Sequence, residues 1–358
     1  MRTTWLALIL FLALLVVLGS TTPARTQEVD KDRIDRAVNY AVAFLKRNQA
    51  GPGFWVHNGG GPEDEYNIGA TALVGLALLE SDVPRDDRAL AGAANLVRGA
   101  LPRLTLTYTV SLAILFLDRY RGGKDPELVR RLALRLAAAQ NQADGGWGYN
   151  VPMLSPQAEA NWMANLKRLK NAKNIQGNGQ QLAPGTNSDN SNTQFAVLAL
   201  WVARVHDIPV DYCLLLAEWH FRTTQHSNGG WNYGLNLGGP AGDPPTPSMT
   251  CSGLLGLAIA YGTKREQAAS LRAGGDKLEG GAAKPMPLPR FDIDSDQAVQ
   301  RAKAFLAGSL RKQRTEIPHF LYFLWSLERV SVTYRWKDYD GIDWYAYGSN
   351  ILLNDQQR

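Results

Sequence analysis

Cysteine is nearly missing from this 358-residue chain: Cys213 and Cys251 are the only two. Two cannot make a disulfide framework, so they fit either one bridge in an oxidising compartment or a pair of small buried thiols. Charge of one sign is scarce as well. The 38 Lys and Arg against 33 Asp and Glu leave a net +5, spread out with no dense basic stripe. That excludes the usual electrostatic footprint of a nucleic-acid binder. Long apolar runs are absent beyond the N-terminus, and a spanning helix needs about 20 such residues. The one apolar run, 6–18, follows Met1-Arg2-Thr3-Thr4-Trp5 and precedes Gly19, Ser20, Thr21, Thr22, Pro23 and Ala24. A basic start, a short apolar stretch and a small-residue end are the marks of a secretory signal peptide. The expectation is a signal over 1–24, removed after Ala24, and a periplasmic or extracellular protein; the other reading is an uncleaved anchor. With 45% hydrophobic residues the rest is globular and long enough for a large core.

What the sequence does have is a repeat. Gln49 is followed by Gly53 and Trp55, Gln142 by Gly145 and Trp147, and Gln225 by Gly229 and Trp231. Each copy follows an apolar helix end and precedes a polar loop, then a stretch of small and aliphatic residues at 68–79, 193–203 and 249–261. Two more helix pairs, 88–101 with 108–120 and 296–311 with 319–334, lack the Gly-x-Trp turn. A last helix is expected near 344–357, after which another such turn would be due. The first helix of each pair is amphipathic, with Arg130, Arg131 and Arg135 read as one charged face, and the second is apolar nearly all round. Glycine permits the turn conformation, tryptophan can cover the hairpin end, and the glutamine can bond backbone groups at a helix terminus.

An aromatic or aliphatic helix end followed by Gln-x-x-x-Gly-x-Trp resembles the repeat of squalene cyclases and protein prenyltransferase β-subunits. The resemblance implies an all-α fold, an α/α toroid over 28–358 with insertions at about 151–188 and 264–292. Apolar helices would form the inner ring and amphipathic ones the outer. Fold alone does not give chemistry.

In such a ring the inner helix N-termini meet at one rim, where their dipoles favour anions. The rim candidates are Tyr66, Asn67, Asn190, Ser191, Asn192, Thr250, His319 and Tyr322, with Asp64, Glu65 and Asp189 as the carboxylates. Helix capping accounts for the same residue types. Squalene-type cyclases protonate an alkene from an Asp-x-Asp-Asp-Thr-Ala motif. Asp189-Asn190-Ser191-Asn192-Thr193-Gln194 keeps the first Asp and the Thr, but Ser191 stands where the proton donor belongs. Prenyltransferases bind zinc through an Asp-x-Cys pair and a later His. Cys251 and His319 are the nearest match, yet Met249 replaces the carboxylate, and two ligands fall short of the usual three. No metal or cofactor is expected. His57, His206, His220 and His226 show no ligand spacing and read as loop or surface residues.

Residues 157–173 read as a short basic amphipathic helix, with Trp162, Met163, Leu166 and Leu169 on one stripe: a lid, a peripheral membrane contact, or simple packing. Residues 264–290, rich in Gly, Pro and Lys, read as a loop. The expected function is a non-catalytic or diverged binding domain for an apolar or extended ligand, such as an isoprenoid-like small molecule, or for a protein partner. A diverged terpenoid cyclase or prenyltransferase-like enzyme is the first alternative, and an exported polysaccharide-active toroid the second.

Overall fold

The computed structural model describes residues 30–356 other than 52, 58, 122–124, 171, 173, 179–187, 235–242 and 276–292. The proposed signal at 1–24 therefore lies outside the described residues. The fold is all-α. Its helices are α1 (Lys31–Arg47), α2 (Glu65–Glu80), α3 (Arg88–Ala100), α4 (Thr107–Tyr120), α5 (Asp125–Ala138), α6 (Pro156–Leu169), α7 (Asn190–Ala203), α8 (Asp211–Thr224), α9 (Pro247–Gly275), α10 (Gln297–Leu310), α11 (Phe320–Tyr334) and α12 (Trp344–Gln356). One two-stranded antiparallel hairpin, Asp338–Tyr339 with Ile342–Asp343, precedes α12.

Local chemistry sets the boundaries. Asp30, Asp64, Asp87, Asp189 and Asp296 each turn a carboxylate onto the free backbone N–H groups of the helix that follows. Ser155 does the same for α6, with Pro156 at its first position. Left-handed Arg121 and Arg335 end α4 and α11.

The apolar helices α2, α4, α7, α9 and α11 form a row, each packed on the next. Helix α7 buries most of its length, which follows from having neighbours on several sides. The amphipathic helices α1, α3, α5, α8 and α10, and the final helix α12, lie along that row. Polar bonds tie them in chain order: Lys46 to Asp87, Arg98 to Asp125, Gln140 to the Cys213 carbonyl, and Arg222 to Asp296. The last is bonded back to the first, since the Gln356 amide donates to the Ala37 carbonyl of α1 at 2.8 Å.

The repeated turn is a set of repeated bonds. The indole N–H groups of Trp55, Trp147 and Trp231 donate to the carbonyls of Leu45, Leu136 and Phe221 in the preceding helix. Their backbone N–H groups donate to Thr71, Thr193 and Thr250 in the following apolar helix. Gly145 and Gly229 sit at φ +82° and +89°, and a Cβ there would stand 2.4 Å from the Leu216 and Arg301 carbonyl oxygens of the next amphipathic helix. Only glycine meets both conditions.

Four sequence readings are corrected. The motif glutamine of the second copy is Gln140, not Gln142: Gln140 donates to the Gly145 and Cys213 carbonyls, as Gln225 does to Gly229 and Ala298. An extra residue in that turn displaces the spacing. As expected, these glutamines bond backbone groups at a helix terminus, and that terminus is the first turn of the next amphipathic helix. Arg135 leaves the charged face and is buried, donating to the carbonyls of Leu101, Leu104 and Pro152. Residues 264–275 continue α9, anchored by the 2.6 Å pair between Lys264 and buried Glu218, so that part of the expected loop is helix. His220 is buried on α8 instead of exposed. The two cysteines are free and buried, and burial pushes the Cys213 thiol up to about 12.

Candidate functional site

Every helix of the apolar row brings its N-terminal turn to one end of the molecule. Glu65 at the start of α2 accepts from the N–H groups of Thr105 and Leu106, just ahead of α4, at 2.7 and 2.6 Å. Tyr108 of α4 packs on Phe195 of α7 with ring centroids 4.7 Å apart. Gln194 of α7 accepts from Ser252 of α9 at 2.7 Å and from the Tyr322 hydroxyl of α11 at 2.6 Å. Phe195 lies face to face with Trp325 of α11 at 5.2 Å and an interplanar angle of 4°, and Tyr322 stacks beside both. The centre of this end is an aromatic cluster of partly exposed Tyr108, Tyr322 and Trp325 around buried Phe195.

The carboxylates expected at the rim are present but engaged. Asp64 caps α2. Glu65 spends both oxygens on Thr105 and Leu106. One oxygen of Asp189 accepts from the backbone N–H groups of Ser191 and Asn192 and from the side chains of both; the other accepts from the Tyr149 hydroxyl at 3.2 Å. Both oxygens of that carboxylate are thus committed as acceptors.

The other rim candidates divide in the same way. Asn67 is fully buried and accepts from the His57 N–H while donating to Gly59 and Gly61. Thr250 accepts from Trp231 and donates to Thr246. Asn190 donates to the Asn232 carbonyl and meets His220 at 2.8 Å. Tyr66 is exposed. His319 is exposed in a left-handed turn, edge-on to Tyr233. Cys251, by contrast, sits inside an apolar core cluster, so the two sequence candidates for zinc are not turned to a common point. Among the described residues no group of three His, Cys, Asp or Glu side chains is placed to hold a metal.

Tyr108, Gln194, Phe195, Trp325, Tyr149 and Tyr233 were not singled out from the sequence. Two of them had a legible signal, because a tyrosine stands two places after the motif tryptophan at 149 and again at 233. Burial pushes the Tyr108 phenol up to about 12. Burial and then the nearby Asp189 charge raise Tyr149 and Tyr233. The phenols are therefore neutral hydrogen-bonding groups rather than bases. Behind the rim, His220 reaches the Asp144 carbonyl at 2.8 Å as well as Asn190, and its burial lowers its pKa.

Two cavities lie away from this end. One of about 270 Å³ is lined by Leu117, Asp118, Arg121 and His206, at the opposite ends of α4 and α7. One of about 400 Å³ lies between α1 and α12, lined by Arg33, Arg36, Tyr40 and Leu353. The apolar stripe of α6, a candidate lid or lipid contact, is turned onto the protein: Leu166 is buried, and Trp162 and Met163 pack on the core. Among the described residues no helix is long and apolar enough to cross a membrane. No protein-family model matches the chain, and neither does any curated protein.

Proposed function

We propose that the chain is an α/α toroid of the squalene cyclase and prenyltransferase repeat type that binds rather than converts its ligand. Its binding place is the end where the apolar helices begin. The observation that carries this reading is the stack of Phe195, Trp325 and Tyr322 beside Tyr108. Aromatic faces of this kind hold apolar or extended molecules by contact area and π interactions. The carboxylates beside them are committed as acceptors to N–H and hydroxyl donors of the protein itself. An isoprenoid-like chain fits this chemistry: apolar length against the aromatic faces, and a hydroxyl end toward the Asp189, Tyr149 and Tyr233 side. Export through residues 1–24 belongs to the same proposal, and it places the ligand outside the cytoplasm.

Titration of the protein with farnesol, read by tryptophan fluorescence, tests the reading. Saturable quenching is expected, lost on Trp325→Leu and weakened at least tenfold by Phe195→Ala. Quenching that persists in both variants would refute the site. Incubation with squalene is expected to leave it unchanged, and a cyclised product that disappears with Asp189→Asn would overturn the non-catalytic reading.

A further inference from the structure

Two oxygens, both acceptors, face one buried ring. His220 of α8 is 2% exposed, with Nδ1 2.8 Å from the Asp144 carbonyl and Nε2 2.8 Å from Asn190 Oδ1. The Asn190 amide is held in that sense, because its Nδ2 donates to the Asn232 carbonyl at 2.9 Å and the reverse would set oxygen against oxygen. A neutral imidazole has one N–H and satisfies one of the two acceptors. The imidazolium has two and satisfies both. The geometry is that of the charged ring.

The surroundings set how readily that charge is held. Burial opposes it and lowers the His220 pKa, while the Asp144 carboxylate favours it. One Asp144 oxygen accepts from the Gly146 N–H and the Ser188 hydroxyl; the other has no hydrogen-bond partner among the described residues. The other charged groups of the neighbouring elements are engaged elsewhere. On α8, Glu218 pairs with Arg222 and with Lys264 of α9, and Arg222 reaches Asp296 ahead of α10. Arg301 of α10 bonds Gln225, and Asp189 ahead of α7 accepts from Ser191, Asn192 and Tyr149. Burial raises the Tyr233 phenol, which stays neutral. With the transition below the usual histidine value of about 6.5, the ring is charged in acid and neutral above about pH 7.

The partners of His220 lie where this charge matters. Asn190 opens α7, the helix that carries Gln194 and Phe195 into the aromatic cluster. Its N–H donates to the Tyr233 carbonyl at 2.5 Å, and the N–H of Asp189 donates to the Trp147 carbonyl at 2.8 Å. Asp144 belongs to the second Gly-x-Trp turn, and Asn232 follows the tryptophan of the third. We propose that His220 is a protonation-dependent positioning residue of the binding end. Charged, it locks the first turn of α7 between those two turns; neutral, it releases Asn190. Ligand is held more tightly in acid, because the cluster that receives it is then ordered before it arrives. This regulation rests on the binding reading above.

Farnesol has no titratable group, so any pH dependence of its quenching belongs to the protein. Affinity at least threefold tighter at about pH 4.5 than at about pH 7.5 is expected, and a flat profile in His220→Gln, whose amide gains no proton. Asn190→Asp sets a carboxylate against Nε2 and should move the midpoint to higher pH. Equal wild-type affinity at both pH values overturns the proposal. So does a dependence that His220→Gln keeps, or that Asn190→Asp fails to move upward. Wild-type protein supplies a second measurement: nitrogen NMR of labelled histidine rings, with hydrogen exchange at the Asn190 amide. In acid one ring should hold two slowly exchanging N–H protons, and the Asn190 amide should gain protection beyond its intrinsic pH effect. Absence of either overturns the lock, whether or not His220→Gln folds. That measurement needs no ligand. Farnesol that binds at neither pH would sink the binding reading, and the ring and amide data would still decide the lock.

Discussion

Replacing Trp231 by alanine should cost this protein about 3–5 kcal/mol, the range for large buried aromatics. Trp231 has no exposed surface. Its ring meets Phe221 edge-on, with centroids 6.1 Å apart. It also fills the space over Gly253, where a Cβ would fall 2.6 Å from the indole. The indole N–H bond to the Phe221 carbonyl, 2.8 Å, ends a free carbonyl in the last turn of α8. Its loss alone is worth about 1 kcal/mol. Trp231→Phe keeps much of the ring and loses that bond, so it should fall between wild type and the alanine variant. The assay is urea unfolding followed by far-UV circular dichroism, paired with hydrogen exchange over α8, α9 and α10. The exchange data matter because repeat arrays can open locally. Both variants within about 0.5 kcal/mol of wild type, with unchanged exchange, would refute the claim that the Gly-x-Trp turn is part of the packing.

Two further outcomes are expected. Gln140→Ala should destabilise by roughly 1–3 kcal/mol, because it strips two buried carbonyls of a shared donor, whereas Gln142→Ala should stay within about 0.5 kcal/mol; equal effects in urea unfolding would contradict the assignment of the motif glutamine. Burial holds the Tyr108 phenol above its usual value, to about 12. A raised folded pKa gives stability that is full below the unfolded value near 10 and is lost as the pH rises through the folded one. Tyr149, Tyr233 and Tyr322 are raised too, so tyrosinate absorbance should show a late-titrating component that Tyr108→Phe lowers by one tyrosine's amplitude, and an unchanged late amplitude in that variant would refute the placement.

Sequence pattern determined the helix content and the alternation of amphipathic and apolar helices, because a 3.6-residue period and an apolar surround are local properties. It also placed the tryptophans, since a glycine needing positive φ beside a large apolar ring leaves a recognisable string. Spacing alone placed the second motif glutamine wrongly, because the bond that defines it reaches Cys213, far along the chain. The use of each rim residue was equally beyond the sequence. Asp189, Glu65 and Asn67 have the composition of both a binding rim and a set of caps, and only the distances to backbone N–H groups decide between them. The aromatic cluster of Tyr108, Phe195, Tyr322 and Trp325 draws on three helices separated by long stretches of chain. No local period could announce it. Arg135 and His220 follow the same rule: each lies on an amphipathic helix, and each is buried because a distant turn supplies acceptors for its polar atoms.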